Sequence, residues 1–242
     1  NQARLCYLTD LTNQVIGDEI CNWATFAVGP GHGIQMKSGR LIIPAYVYYI
    51  HCRCFPFNFL HKVRPHALSF YSDDCGVTWQ MGEKIPMESC ECEMAEIIDH
   101  ADQSHLYCNT RSTCGHRVEA LTIDNPHVAK KLVEPRHGCQ GSVLSFPVPE
   151  PSDECVEFCP DQATEKTWLL YCHPTNPRKR ACLGVYLNKS PWDASGWEDH
   201  KLIIYDGPNG YSDLAQCGDG KQFACLMECG EISEVFKLSD II

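Results

Sequence analysis

Ser72-Asp73-Asp74-Cys75-Gly76-Val77-Thr78-Trp79 follows the apolar run His66 to Tyr71 and precedes a second apolar stretch. It fits the pattern S-x-D-x-G-x-T-W, and the spacing describes a self-contained hairpin turn. Asp74 is placed to accept backbone N–H bonds across the turn, Gly76 to adopt φ > 0, and Trp79 to staple the turn onto a sheet. Such a turn is a folding device with no chemistry of its own. It predicts that the flanking segments are antiparallel strands.

Working outward, the same texture recurs. Short β-branched and aromatic runs are separated by clusters of Gly, Pro, Asn, Asp and Ser. The runs are Arg40 to Ile50, His66 to Tyr71, Met94 to Ile98, Val118 to Ile123, Gly141 to Phe146, Thr167 to Cys172, Leu183 to Leu187, Lys201 to Tyr205, Gln222 to Met227 and Glu231 to Leu238. Strands at this spacing predict an all-β architecture: a sandwich, a barrel or a propeller. The best helical candidate is Pro126 to Val133. Residues 147–167 depart from the texture, with Pro147, Pro149, Pro151 and Pro160 among the acids Glu150, Asp153, Glu154, Glu157, Asp161 and Glu165. They read as a long solvated, acidic, Pro-rich loop.

The chain has 242 residues, 44% of them apolar and 21% charged, which suits a substantial core and excludes disorder or collagen-like repetition. With 31 acidic against 20 basic residues the net charge is −11, the wrong sign for a nucleic-acid footprint. An anionic ligand must then be met by a few local arginines. The longest apolar run, Leu41 to Ile50, is about half of the roughly 20 residues that cross a bilayer, so no transmembrane helix is expected. The 17 cysteines are an odd number and contain no C-x-x-C. Cys52/Cys54, Cys90/Cys92, Cys155/Cys159 and Cys225/Cys229 are the close pairs, and zinc sites favour other spacings. Most are expected to be small buried hydrophobes of a reducing, cytosolic or cytosol-facing environment. The 11 histidines show no metal-ligand spacing, and no catalysis is assigned to them.

The opening octapeptide is an Asp box, a device found mainly on β-propeller blades, those of sialidases foremost. A degenerate copy, Thr122-Ile123-Asp124-Asn125-Pro126, lacks the Gly and the Trp. Around these lie Trp23 to His32, Leu41 to Tyr46, Glu91 to Glu96, Leu132 to Pro135, Gly138 to Val143, Trp168 to Pro174, Leu183 to Asn188 and Gly210 to Leu214. Together and in order, over nearly the whole chain, they resemble the vertebrate sialidase family, nearest its membrane-associated, ganglioside-cleaving members. The resemblance implies a six-bladed β-propeller forming one domain over residues 1–242, incomplete here at about four blades. It also implies hydrolysis of terminal sialic acid from gangliosides, glycoproteins or oligosaccharides, with no metal or organic cofactor. Peripheral membrane association or a cytoplasmic location would go with it. Acylation of a cysteine is one route to a membrane, and the sequon Asn188-Lys-Ser190 is not expected to be used.

Sialic acid carries a carboxylate at its anomeric carbon, and its cleavage develops oxocarbenium character. An attacking carboxylate would be repelled by the substrate, whereas a tyrosine is neutral until a base takes its proton; sialidases are the tyrosine exception among glycosidases. By resemblance Tyr211 is that nucleophile and Glu91 its base, with Glu93 and Glu96 close enough in sequence to be confused with it. Arg111 and Arg180 resemble two members of the triad that grips the substrate carboxylate, a task suited to a planar, permanently charged fork. Glu228 resembles the glutamate that orients the first triad arginine. Tyr46 and Tyr48 share one face of a strand, either touching the glycerol tail of the sugar or packing as core aromatics. Gln140 is a weaker candidate sugar contact.

The family's first triad arginine, its second arginine and its acid/base aspartate have no counterpart in this chain. The join at residues 8–12 also looks abbreviated. The chain is therefore expected to be an N-terminally truncated propeller with an open edge, unstable or inactive alone. The alternative is a non-catalytic propeller that binds sialoglycans or a protein.

Overall fold

The computed structural model describes residues 10–53, 61–121, 125–149, 166–218, 220–229 and 233–237. The degenerate turn at residues 122–124, the join at residues 8–9 and residues 150–165 of the acidic loop lie outside them. Two helical turns, Thr12–Ile16 and Gly17–Asn22, precede the strands. These are β1 (Trp23–Val28), β2 (Ile34–Gln35), β3 (Leu41–Arg53), β4 (His61–Ser72), β5 (Gln80–Met81), β6 (Cys92–Ile98), β7 (Ser104–Thr110), β8 (Arg117–Ala120), β9 (Pro126–Ala129), β10 (Ser142–Pro147), β11 (Thr167–Pro174), β12 (Ala181–Asn188), β13 (Trp197–Pro208), β14 (Ser212–Cys217), β15 (Gln222–Met227) and β16 (Ser233–Lys237).

The strands form four antiparallel sheets in chain order: β1-β3-β4-β5 with β2 also on β3, then β6-β7-β8-β9, β10-β11-β12-β13 and β14-β15-β16. Their first strands line up, β6 against β10 and β10 against β14, with β3 beside β6. This is the blade arrangement of a propeller, and over the described residues every expected strand falls on an observed one. The exception is the predicted helix over residues 126–133. Pro126 and His127 begin β9, an outermost strand paired to β8, where a proline needs no inward N–H partner.

The turn at residues 72–79 joins β4 to β5 as its sequence dictates. Asp74 Oδ1 accepts the Thr78 N–H at 2.8 Å and its Oδ2 the Thr78 hydroxyl at 2.6 Å, while Ser72 Oγ accepts the Gly76 N–H at 2.8 Å. Gly76 has φ 86°, and Trp79 Nε1 donates to the Gly76 carbonyl at 3.2 Å. Bonds from Thr78 and Ser72 hold the Asp74 carboxyl down at about 2.

The core sits between successive sheets. Ile42 and Ala67 meet Met94 and Cys108; Ile97 and Tyr107 meet Leu169, Tyr171 and Trp197; Leu170 and Leu183 meet Leu214 and Phe223. Strands held between two neighbours are buried on both faces, as in β6 and β12. Burying each such side chain is worth about 1.5–3 kcal/mol. Of the 12 cysteines whose side chains are described, Cys90, Cys92, Cys108, Cys139, Cys172 and Cys225 are buried, and none of the 12 is in a disulfide. The sequon residue Asn188 is also buried, its side chain accepting the Ser190 N–H.

Candidate active site

Glu91, Arg111, Arg180, Tyr211 and Glu228 lie at strand ends, whereas Tyr46 and Tyr48 lie within β3. Glu91 and Arg111 flank the β6–β7 hairpin, where the register Cys92↔Thr110 sets them opposite each other. Arg111 N–H donates to the Glu91 carbonyl and Cys90 N–H to the Arg111 carbonyl, each at 2.9 Å. Tyr211 and Glu228 flank β14–β15 in the same way, with Glu228 N–H on the Tyr211 carbonyl at 2.8 Å. Arg180 precedes β12. Antiparallel pairing thus presents residues close in space from sites far apart in sequence.

At the centre, the Tyr211 hydroxyl donates to Glu91 Oε1. The other oxygen, Oε2, accepts Arg111 NH1 at 2.8 Å. The Arg180 guanidinium stands 5.6 Å from the Tyr211 ring centroid, within cation–π range. Burial, followed by the bond to and charge of Glu91, pushes the Tyr211 hydroxyl above the ordinary tyrosine value; Arg111 and Arg180 pull it partway back. The resting tyrosine is therefore neutral, with an acceptor for its proton already in contact. Burial works against the charge of Arg111, and Glu91 more than offsets it.

Tyr46 and Tyr48 share one face of β3, ring centroids 6.3 Å apart, and both are half-buried. Burial and then the Glu91 charge raise the Tyr46 hydroxyl. Glu228 turns to Tyr211 itself, its Oε2 accepting the Tyr211 N–H at 2.9 Å. A cleft of about 410 Å³ opens beside Tyr211, walled by Gly31, Gln140, Asp213 and Glu228.

Gln140 is 1% exposed, and its amide is used within the protein. Its Nε2 donates to Glu93 Oε1 at 3.0 Å and to the Ser212 carbonyl at 2.9 Å, and its Oε1 accepts the Ser212 N–H at 3.0 Å. Glu93 Oε2 in turn accepts Ser142 Oγ at 2.8 Å and Val143 N–H at 2.9 Å, and Leu214 N–H donates to Ser142 Oγ at 3.0 Å. Strands β6, β10 and β14 belong to three different sheets, so these side chains stitch together what no backbone ladder joins. Burial pushes the Glu93 carboxyl up to about 8, with nearby His32 opposing. Gly31 packs directly on Glu93, where a Cβ would collide with its carboxylate.

Sequence reasoning did not single out His32, Asp213 or Ser142, and assigned the histidines no catalysis. His32 Nδ1 lies 2.7 Å from Asp213 Oδ1, a bond that raises the imidazole against the opposing effect of burial. The available signal was alternation: Glu91 and Glu93 project to one face, as do Tyr211 and Asp213. His32, Glu93 and Asp213 carry ligand-type atoms within 4.8 Å of one another. The hydrogen bonds from Gln140, Ser142, Val143 and His32 already use those oxygens.

A family model described as a BNR repeat-like domain matches residues 7–224. Sialidase-3 of Bos taurus is 44% identical over 274 residues, covering 97% of this chain and 64% of its own length. Sialidase-4 of Mus musculus is 33% identical over 343 residues, covering 100% and 70%. The chain thus spans less than two thirds of the length of the first of these. Among solved structures, a Hadza microbial sialidase superposes with a TM-score of 0.71 at 21% identity, covering 97% of this chain and 41% of that one. A leech intramolecular trans-sialidase complexed with 2,7-anhydro-Neu5Ac gives 0.65 at 16% identity, covering 90% and 33%. Both structural likenesses support the β-propeller fold.

Proposed function

The chain belongs to the sialidase family, and from that premise we propose that its axial site serves hydrolysis of terminal sialic acid from sialoglycoconjugates, with retention and a tyrosine nucleophile. The observation that carries this reading is the Tyr211 hydroxyl bonded to a glutamate that is itself bonded to Arg111. As Tyr211 Oη bonds to the anomeric carbon and the glycosidic C–O bond breaks, Glu91 Oε1 takes the phenolic proton. In the second half water cleaves the glycosyl–tyrosine bond and gives up a proton to the group that protonated the leaving oxygen, while Tyr211 recovers its own proton from Glu91. Arg111 and Arg180 hold the substrate carboxylate and stabilise the developing phenolate. The leaving oxygen takes its proton from a group outside the residues named here.

Gangliosides come first among the proposed substrates, on the resemblance to membrane-associated members of the family, with glycoproteins and oligosaccharides after them. Among the described residues no helix is long and apolar enough to cross a membrane. We propose peripheral attachment, since a glycolipid substrate is met at a membrane surface.

The test is release of sialic acid from a ganglioside and from a fluorogenic sialoside. This chain would be assayed beside a form extended to the length of its relatives, each with a Tyr211→Phe control. Turnover lost on Tyr211→Phe supports the reading. Sialoside binding without turnover in the extended form would make the molecule a binding propeller and sink the enzyme.

A further inference from the structure

Arg111 and Arg180 come from the ends of β7 and β12, in different sheets, and no strand pairing relates them. What they share is the loop between β9 and β10. Arg111 Nε and NH2 donate to the His137 carbonyl at 3.1 and 2.6 Å. Arg180 Nε and NH2 donate to the Gly138 carbonyl at 3.3 and 3.0 Å. Each guanidinium is thus seated by the same edge, Nε and NH2, on one of two consecutive carbonyls, with Arg111 NH1 also turned to Glu91. His137 and Gly138 both lie in the left-handed region, φ 80° and 70°. Successive residues of one helical hand keep their carbonyls roughly parallel, whereas extended backbone would alternate them.

The turn is fixed from beneath. Gly138 N–H bonds the Pro135 carbonyl at 2.7 Å, and Cys139 N–H bonds Glu134 Oε1 at 2.9 Å. Arg117 NH1 reaches both Glu134 Oε2, at 3.0 Å, and the Cys139 carbonyl, at 2.5 Å. The Arg117 and Glu134 side chains are 0% exposed. A buried ion pair is a costly way to gain stability, so its use here points to shape being held. Gly138 has no room to change: a Cβ would stand 2.7 Å from Arg111 Cγ and 2.6 Å from the Ser112 carbonyl.

We propose that the His137–Gly138 turn, braced by the Glu134–Arg117 pair, is the positioning element that sets the spacing of Arg111 and Arg180 and so the selectivity for an anomeric carboxylate over its uncharged ester. This rests on the sialidase reading above. Gly138→Ala pushes Arg111 off its seat, and Glu134→Gln loosens the turn without touching either arginine.

The experiment measures, on the full chain, the affinity of a non-hydrolysable sialoside and of its C1 methyl ester, with thermal melts to establish folding. Wild type is expected to prefer the acid. Gly138→Ala should cut that preference about tenfold, the loss of a charge-assisted contact, with ester affinity changed less than about twofold. Glu134→Gln should move it the same way by less, and decides the matter if Gly138→Ala fails to fold. A preference unchanged in the folded variants, or acid and ester weakened equally, overturns the inference. Binding of neither ligand, by this chain and by the extended form alike, overturns the sialidase reading itself and the inference with it.

Discussion

The turn at residues 72–79 and the stitch beneath Tyr211 are both built of carboxylates and hydroxyls, yet they work at opposite ranges. In the turn the bonds of Ser72, Asp74 and Trp79 span four residues or fewer, from Ser72 to Asp74 or from Asp74 to Thr78, and only the exposed Asp73 reaches 33 residues back, to Arg40. In the stitch the partners are far apart, with Gln140 bonded 47 residues back to Glu93 and 72 residues on to Ser212. The turn is half in solvent, whereas Glu93 and Ser142 are 0% exposed. A local motif on the surface can fail without disturbing its neighbours. A buried, non-local one holds three sheets at once, so its loss is felt in geometry as well as stability.

The comparison is sharpened first at the centre that the stitch supports. Tyr211→Phe should lower the turnover of an active form at least about 10³-fold while leaving sialoside binding intact, checked by single-turnover kinetics beside ligand titration. Gln140→Leu comes next. It strands the Ser212 N–H and carbonyl and one Glu93 oxygen away from water, and should cost about 3 kcal/mol in denaturant melts. It should also lower kcat through displacement of Tyr211. If stability fell while kcat held, the stitch would be mere packing.

At the local end, Ser72→Ala should cost about 1 kcal/mol, with kcat and KM unchanged. Loss of activity there would erase the contrast between the two regions. The smallest effects are in pH dependence. Asp74 titrates lower when folded, at about 2, so its contribution is present above the ordinary carboxylate value and is lost as pH falls through about 2. His32 titrates higher when folded, so its pairing with Asp213 stabilises below the ordinary histidine value and is lost as pH rises through the folded one. Melting curves of Asp74→Asn and His32→Gln, taken against pH beside wild type, should lose these opposite slopes.

The same contrast explains what was legible in the sequence. The turn carries the bonds that shape it, those of Ser72, Asp74, Gly76, Thr78 and Trp79, within eight consecutive residues, so its conformation could be read residue by residue. The strands followed from it and from the β-branched runs. Tyr211, Glu91, Arg111 and Arg180 were singled out by resemblance, and hairpin register brings them to one end of the molecule. Of the stitch, alternation pointed only to Glu93 and Asp213, and their partners were not readable. Nothing in Gly-His32-Gly or Ser142-Val shows that His32 meets Asp213, or Ser142 meets Glu93, because those contacts exist only once separate sheets are stacked. Residues 126–133 were misread because proline and histidine depress strand signals, and only an outermost position makes Pro126 acceptable in β9.

The central claim, that Tyr211 attacks while Glu91 takes its proton, is tested most directly by trapping. An active form would be incubated with a sialoside fluorinated to slow the second step, then digested and mapped by mass spectrometry. The account predicts a sialyl adduct on Tyr211 that forms far more slowly in Glu91→Gln. An adduct on Glu91 or Asp213, or continued turnover by Tyr211→Phe, would contradict it.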